Sequence, residues 1–148
     1  MTDRWCARLA GLAAAGGFLA IALGIRVLAS GDGVLDSSGA LRQYSGTALY
    51  ASMVYAGVFV LAPRAAPTLA GVVAVAFCWL VELFQLTGIP AELSVRSLLA
   101  RLVLGAHFDA TDLAWYVVGA LPLLVLHVGI DRWRHRRYPR QKADAAHP

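Results

Sequence analysis

Four stretches of this chain carry no charged side chain: residues 9–25, 44–62, 65–81 and 113–130. Each is roughly 17–19 residues long, close to the ~20 that a helix needs to cross ~30 Å of hydrocarbon. A segment in that medium has to satisfy its own backbone hydrogen bonds, and a helix does so within itself. A soluble four-helix bundle would set a polar stripe along each helix. These runs have almost none, and only 15% of the 148 residues are charged. The sequence therefore predicts an all-α, polytopic membrane protein with four transmembrane helices.

The expected organisation is a short N-terminus (1–8), one membrane domain (9–130) and a basic tail (131–148). Spans are expected at about 9–28, 44–62, 66–86 and 111–130. Residues 93–104, LSVRSLLARLVL, are too short and too charged to cross. They predict one interfacial or re-entrant helix between spans three and four, with Pro90 and Gly105 punctuating its ends.

Basic residues set the orientation. Arg4 and Arg8 precede span one, Arg64 joins spans two and three, and Arg132, Arg134, Arg136, Arg137, Arg140 and Lys142 follow span four. With four spans, all of these fall on one side, which predicts both termini in the cytoplasm. The opposite loops hold Asp32, Asp36, Glu92, Asp109 and Asp112 against Arg42, Arg96 and Arg101. The tail RWRHRRYPRQK reads as a topology anchor, with membrane lipids as partners and no nucleic acid. Each basic residue near an anionic surface contributes about 1 kcal/mol. One alternative stays open at the other end: basic residues, an apolar run and Val27-Leu28-Ala29 also fit a cleaved signal peptide.

Cys6 and Cys78 lie at different depths and predict no disulfide. Small residues recur four apart: Ala48, Ser52 and Ala56 on span two, and Ala13 with Gly17, then Ala20 with Gly24, on span one. Such rows let helices approach closely. They suit packing within a monomer, or the seam of a homo- or hetero-oligomer.

Ionisable residues inside spans are costly, roughly 2.5–3.5 kcal/mol at the centre on insertion scales, and so call for a partner or a task. Arg26 ends span one. Glu82 lies about five residues, or about 7 Å, inside the end of span three. Matched depth and opposite charge predict an Arg26–Glu82 pair. Cys78, Glu82 and Gln85 share one face. In HFDATDLAWYVVG, Asp109 or Thr111 can cap span four. Asp112 in its first turn suits the helix dipole and completes a capping box with a short acid. Tyr116 and Gly119 continue that face towards Glu82. His127 reads as a packing or hydrogen-bonding residue. His107, Asp109 and Asp112 have ligand-type side chains, but with no second cluster they predict no metal.

LGIR, YSGTALYASMVY, ELFQL, VRSLLARLVLG and HFDATDLAWYVVG occur in that order. The set resembles the bacterial membrane family called domain of unknown function 2809, over roughly residues 9–125. That family usually carries Gly-Asp where this chain has Gly46-Thr47. More distantly, Glu82, Gln85 and Asp112 resemble the pattern of VanZ-like teicoplanin-resistance proteins. Trp115 and Tyr116 stand where those proteins have asparagine, and Gly119 is retained. The resemblance implies an envelope protein of the inner membrane and supplies no activity.

The expected function is binding of a lipid or cell-wall-precursor head group at a polar cluster facing the periplasm. Arg26, Glu82, Gln85, Arg96, Arg101, Asp109, Asp112 and Tyr116 are the candidate ligand-binding residues. No catalytic residue and no cofactor is assigned. Two alternatives stand beside this: an intramembrane enzyme using Glu82 or Asp112, and a structural or assembly partner of another membrane protein.

Overall fold

The computed structural model describes residues 2–28, 40–105 and 107–137. Asp32, Asp36, Ala29 of the candidate cleavage motif and the tail beyond Arg137 lie outside the described residues. Within them the chain forms six helices: α1 (Thr2–Leu28), α2 (Ala40–Leu61), α3 (Pro67–Gln85), α4 (Ile89–Arg96), α5 (Leu98–Leu104) and α6 (Ala110–Arg137). Helices α1, α2, α3 and α6 are each long and apolar enough to cross a membrane. The protein is thus an all-α polytopic membrane protein with four spans.

The four spans are not equivalent. Helices α2, α3 and α6 pack on one another, whereas α1 packs on α2 alone. Two small cores fill the three-helix unit. One joins Ala51 of α2, Cys78 of α3, and Tyr116 and Ala120 of α6. The other joins Tyr55 of α2 to Ala70 and Ala74 of α3, with Leu123 and Leu124 of α6 against them. Large apolar side chains such as Val72, Leu80, Val118 and Leu126 face outward. In water such a surface would drive aggregation, whereas in lipid it costs nothing, and helices associate instead through close packing and hydrogen bonds.

The row on α2 does this. A Cβ at Gly119 would collide with the Ala48 backbone, so α6 lies directly on α2 there. Ser52 Oγ reaches the Gly119 carbonyl at 2.9 Å and that of Ala48 at 3.1 Å. On the other side of α2, a Cβ at Gly11 would sit 3.1 Å from the Ala56 carbonyl oxygen. The row expected on α1 behaves otherwise. Ala13, Gly17, Ala20 and Gly24 are exposed, and a Cβ added at either glycine would meet nothing within 4 Å. They do not form the contact with α2.

Short connections are locally encoded. Pro67 begins α3, where its missing N–H is harmless. Gly88, at φ 76°, supplies the left-handed turn from α3 into α4. The single helix expected at 93–104 is two, and Ser97 is the reason. Its extended backbone ends α4, and its Oγ accepts the Ala100 N–H at 3.3 Å to cap α5. At 28 residues, α6 spans about 42 Å, longer than the ~30 Å of a hydrocarbon core, and its last turns, Arg132 to Arg137, are basic.

Candidate binding cleft

Because α1 touches only α2, a gap opens between α1 and α3 at the end that holds α4 and α5. The gap is a cleft of about 840 Å³, a size suited to a small ligand. Its walls are apolar side chains of α1, α2 and α5, among them Phe18, Leu23, Met53 and Leu102. Arg26, Gln85, Arg101, Asp112 and Tyr116 also line it, as do Gln43, Thr47, Tyr50 and His107.

Behind the lining stands Glu82, which is 1% exposed. Its Oε1 accepts the Asp109 backbone N–H at 2.6 Å, and its Oε2 accepts the Tyr116 hydroxyl at 2.9 Å. Both carboxylate oxygens are therefore satisfied by neutral donors from the start of α6. The expected Arg26–Glu82 pair is not formed among the described residues. Arg26 sits on α1, which does not pack on α3, and it lines the cleft.

Asp109 caps α6 as expected, with Oδ1 accepting the Thr111 N–H at 2.8 Å. Its Oδ2 accepts from Gln43 Nε2 at 2.7 Å, which ties the cap to α2. The bonds from Thr111, backbone first, hold the Asp109 carboxyl below its ordinary range. The capping box is not the local one predicted. The Asp109 N–H that Asp112 should accept is taken by Glu82, from another helix. Asp112 is thereby left half-buried in the cleft, where its Oδ1 accepts from Thr47 Oγ1 at 3.1 Å.

The rim is stitched in the same way. The last carbonyls of a helix have no partner within it. At the end of α5, Tyr50 Oη donates to the Val103 carbonyl at 2.9 Å, Gln85 Nε2 to Leu104 at 2.8 Å, and Ser94 Oγ to Gly105 at 2.6 Å. Three helices thus supply one donor each. Gln85 Oε1 is buried and has no hydrogen-bond partner. Tyr44 stacks on Trp115 with ring centres 5.0 Å apart, closing α2 on α6 nearby.

Of the residues expected at the site, Arg26, Gln85, Arg101, Asp112 and Tyr116 meet at the cleft. Glu82 and Asp109 brace it from behind. Arg96 is exposed on the last turn of α4 and is not part of the lining. Gln43, Thr47 and Tyr50 escaped the sequence reading. The signal for the first two is their spacing of four, which places them on one face of α2, opposite Asp109 and Asp112. At the far end His127 Nδ1 lies 3.1 Å from the Tyr55 hydroxyl, the hydrogen-bonding role expected of it. Among the described residues no three His, Cys, Asp or Glu side chains gather into a metal-binding group.

A family model described as "protein of unknown function (DUF2809)" matches residues 37–120. The chain belongs to this family. The DUF2809 match runs from the approach to α2 through the first third of α6. It therefore takes in Glu82, Gln85, Arg101, Asp109 and Asp112, and leaves out α1 with Arg26. Comparison with curated proteins and with solved structures returns no match. None of these comparisons shows the more distant VanZ-like link.

Proposed function

We propose that this DUF2809 protein is a non-enzymatic envelope protein of the bacterial inner membrane that binds a lipid or lipid-linked cell-wall-precursor head group. In this reading both termini are cytoplasmic and the cleft opens at the periplasmic face. The observation that carries the proposal is the cleft itself, with apolar walls made by α1 and α2 and a polar end holding Arg26, Arg101 and Asp112. Acyl chains suit the walls. A guanidinium suits phosphate, which its planar fork can bind with two hydrogen bonds.

Glu82 supports the non-enzymatic reading over the intramembrane enzyme. A general base must come within hydrogen-bond reach of its substrate or a water. Both oxygens of Glu82 are engaged by the protein's own donors, and the residue is fully buried. That is the setting of a brace.

The test is native mass spectrometry of protein released in mild detergent, comparing wild type with Arg101→Gln and Arg96→Gln. Wild type and the Arg96 variant are expected to carry a specific phosphate-bearing lipid, and the Arg101 variant to lose about tenfold in occupancy, the worth of one charge-assisted bond. Wild-type protein free of lipid, or equal loss in both variants, contradicts the proposal.

A further inference from the structure

The bundle has a second cleft, at the end opposite α4 and α5. It measures about 540 Å³, within the range of small-ligand sites. Helices α1 and α6 both line it and do not pack on each other; each packs on α2. Its sides differ in kind. Helix α1 contributes Ala7, Ala10, Gly11 and Ala14, which are small and leave space. Helices α2 and α6 contribute rings. Tyr55 and Phe59 lie 5.4 Å apart, and His127 lies 5.1 Å from Phe59 and 6.4 Å from Tyr55. A smooth side against a side of rings makes a slot suited to a flat ring system. Leu126 and Ile130, both exposed, border it, so an apolar tail bound there continues into lipid.

The rings also carry a hydrogen-bonding centre. Tyr55 Oη lies 3.1 Å from His127 Nδ1, so the other ring nitrogen, Nε2, is the one that remains for a ligand. Where the tyrosine donates to Nδ1, Nε2 carries the proton and suits a carbonyl oxygen. Where Nδ1 carries the proton, Nε2 accepts and suits a phenolic hydroxyl. The charged side chains of the lining are Asp131 and Arg134, one of each sign. A phosphate there would meet the carboxylate as well as the guanidinium. A bare acyl chain would make no use of the histidine.

We infer that this second cleft binds a lipid-soluble quinone and its quinol. The flat, neutral head group lies between the small residues of α1 and the rings, where stacking on Phe59 and Tyr55 adds to burial. The isoprenoid tail leaves past Leu126 and Ile130. The oxidised head group supplies the carbonyl that one tautomer of His127 calls for, and the reduced one supplies the hydroxyl that suits the other. The site shares none of these polar groups with the cleft at Arg101 and stands or falls apart from the reading given for that cleft.

The experiment places full-length protein in nanodiscs of phosphatidylcholine and phosphatidylglycerol doped with a short-tailed ubiquinone, followed by release and native mass spectrometry. Wild type is expected to retain the quinone about tenfold above its share of the disc. His127→Phe keeps a flat ring and loses the hydrogen bond, and is expected to retain about fivefold less. Ala10→Phe fills the slot from α1 and is expected to retain none above the disc's share. Leu12→Phe adds the same kind of ring on an exposed position of α1 outside both clefts and is expected to match wild type. Quinone held by wild type only in proportion to the disc overturns the inference, as does equal retention by Ala10→Phe and Leu12→Phe. Retention of phosphatidylglycerol in the quinone's stead, lost in Ala10→Phe, overturns it in favour of an anionic-lipid site. Full retention by a folded His127→Phe overturns the hydrogen-bonded head group. Where His127→Phe does not fold, the comparison of Ala10→Phe with Leu12→Phe decides.

Discussion

Helices α1 and α3 are both apolar and serve opposite purposes. On α3, Ala70, Ala74, Cys78, Glu82 and Gln85 form one buried stripe. On α1 the single buried residue among those described is Gly11. Apolarity commits a helix to the membrane and says nothing of which face meets protein, because lipid and a leucine-lined partner are equally good solvents. What fixes the buried face of α3 is its polar content. Glu82 and Gln85 must find partners, and they find them at the start of α6 and the end of α5. Helix α1 has no such residue in its middle. Its attachment is to one helix, and the standoff on its other side leaves the cleft.

Substitutions at three positions probe this contrast, the strongest first. Gly119→Val drives a branched side chain into the Ala48 backbone, which cannot step aside. The expected loss is about 3 kcal/mol or more, the upper end for overpacked sites, read as a collapse of thermal stability in detergent. A variant that keeps its stability would mean that α6 does not lie on α2. Glu82→Leu should cost about 1–3 kcal/mol, because the Asp109 N–H and the Tyr116 hydroxyl lose their common acceptor. Glu82→Gln, which keeps one acceptor oxygen, should recover part of that loss. If both variants melt like wild type, the polar stripe is not what docks α3. Gly17→Leu, on the open face of α1, should change monomer stability by no more than about 0.5 kcal/mol. A large fall on that outward face would show that a second protein covers it, and would restore the oligomer seam.

The residues that were legible from sequence are those whose behaviour is set by their own segment. Four uncharged runs became four spans. Asp109, immediately ahead of an apolar run, capped α6. Pro90 and Gly105 bracket the α4–α5 segment they were expected to punctuate. What escaped was whatever depended on a partner from elsewhere in the chain. Arg26 and Glu82 have matching depth and opposite charge, yet α1 and α3 are not neighbours, and depth says nothing about neighbours. The Asp109–Asp112 spacing fits a local capping box, yet an acceptor from α3 took the place, and only the fold brings it there. Ser97 could have been recognised as a cap within LSVRSLLARLVL, since serine favours that role over a helix interior. The small-residue rows looked alike on α1 and α2. Only the row on α2 met facing surfaces, Gly119 on one side and Gly11 on the other.

The central claim is that the standoff of α1 makes a ligand cleft and not merely another lipid-facing groove. The chain has two methionines, and Met53 lines the cleft. Photo-methionine incorporated at Met53 can therefore report on the cleft in native membranes. The control is a Met53→Leu chain with photo-methionine placed at Val72, on the outward face of α3. On illumination, Met53 is predicted to capture one phospholipid class well above its share of the membrane, and Val72 to capture lipids in proportion to the bulk. Capture in bulk proportion at both positions would contradict the claim and leave the polar cluster as a brace between helices.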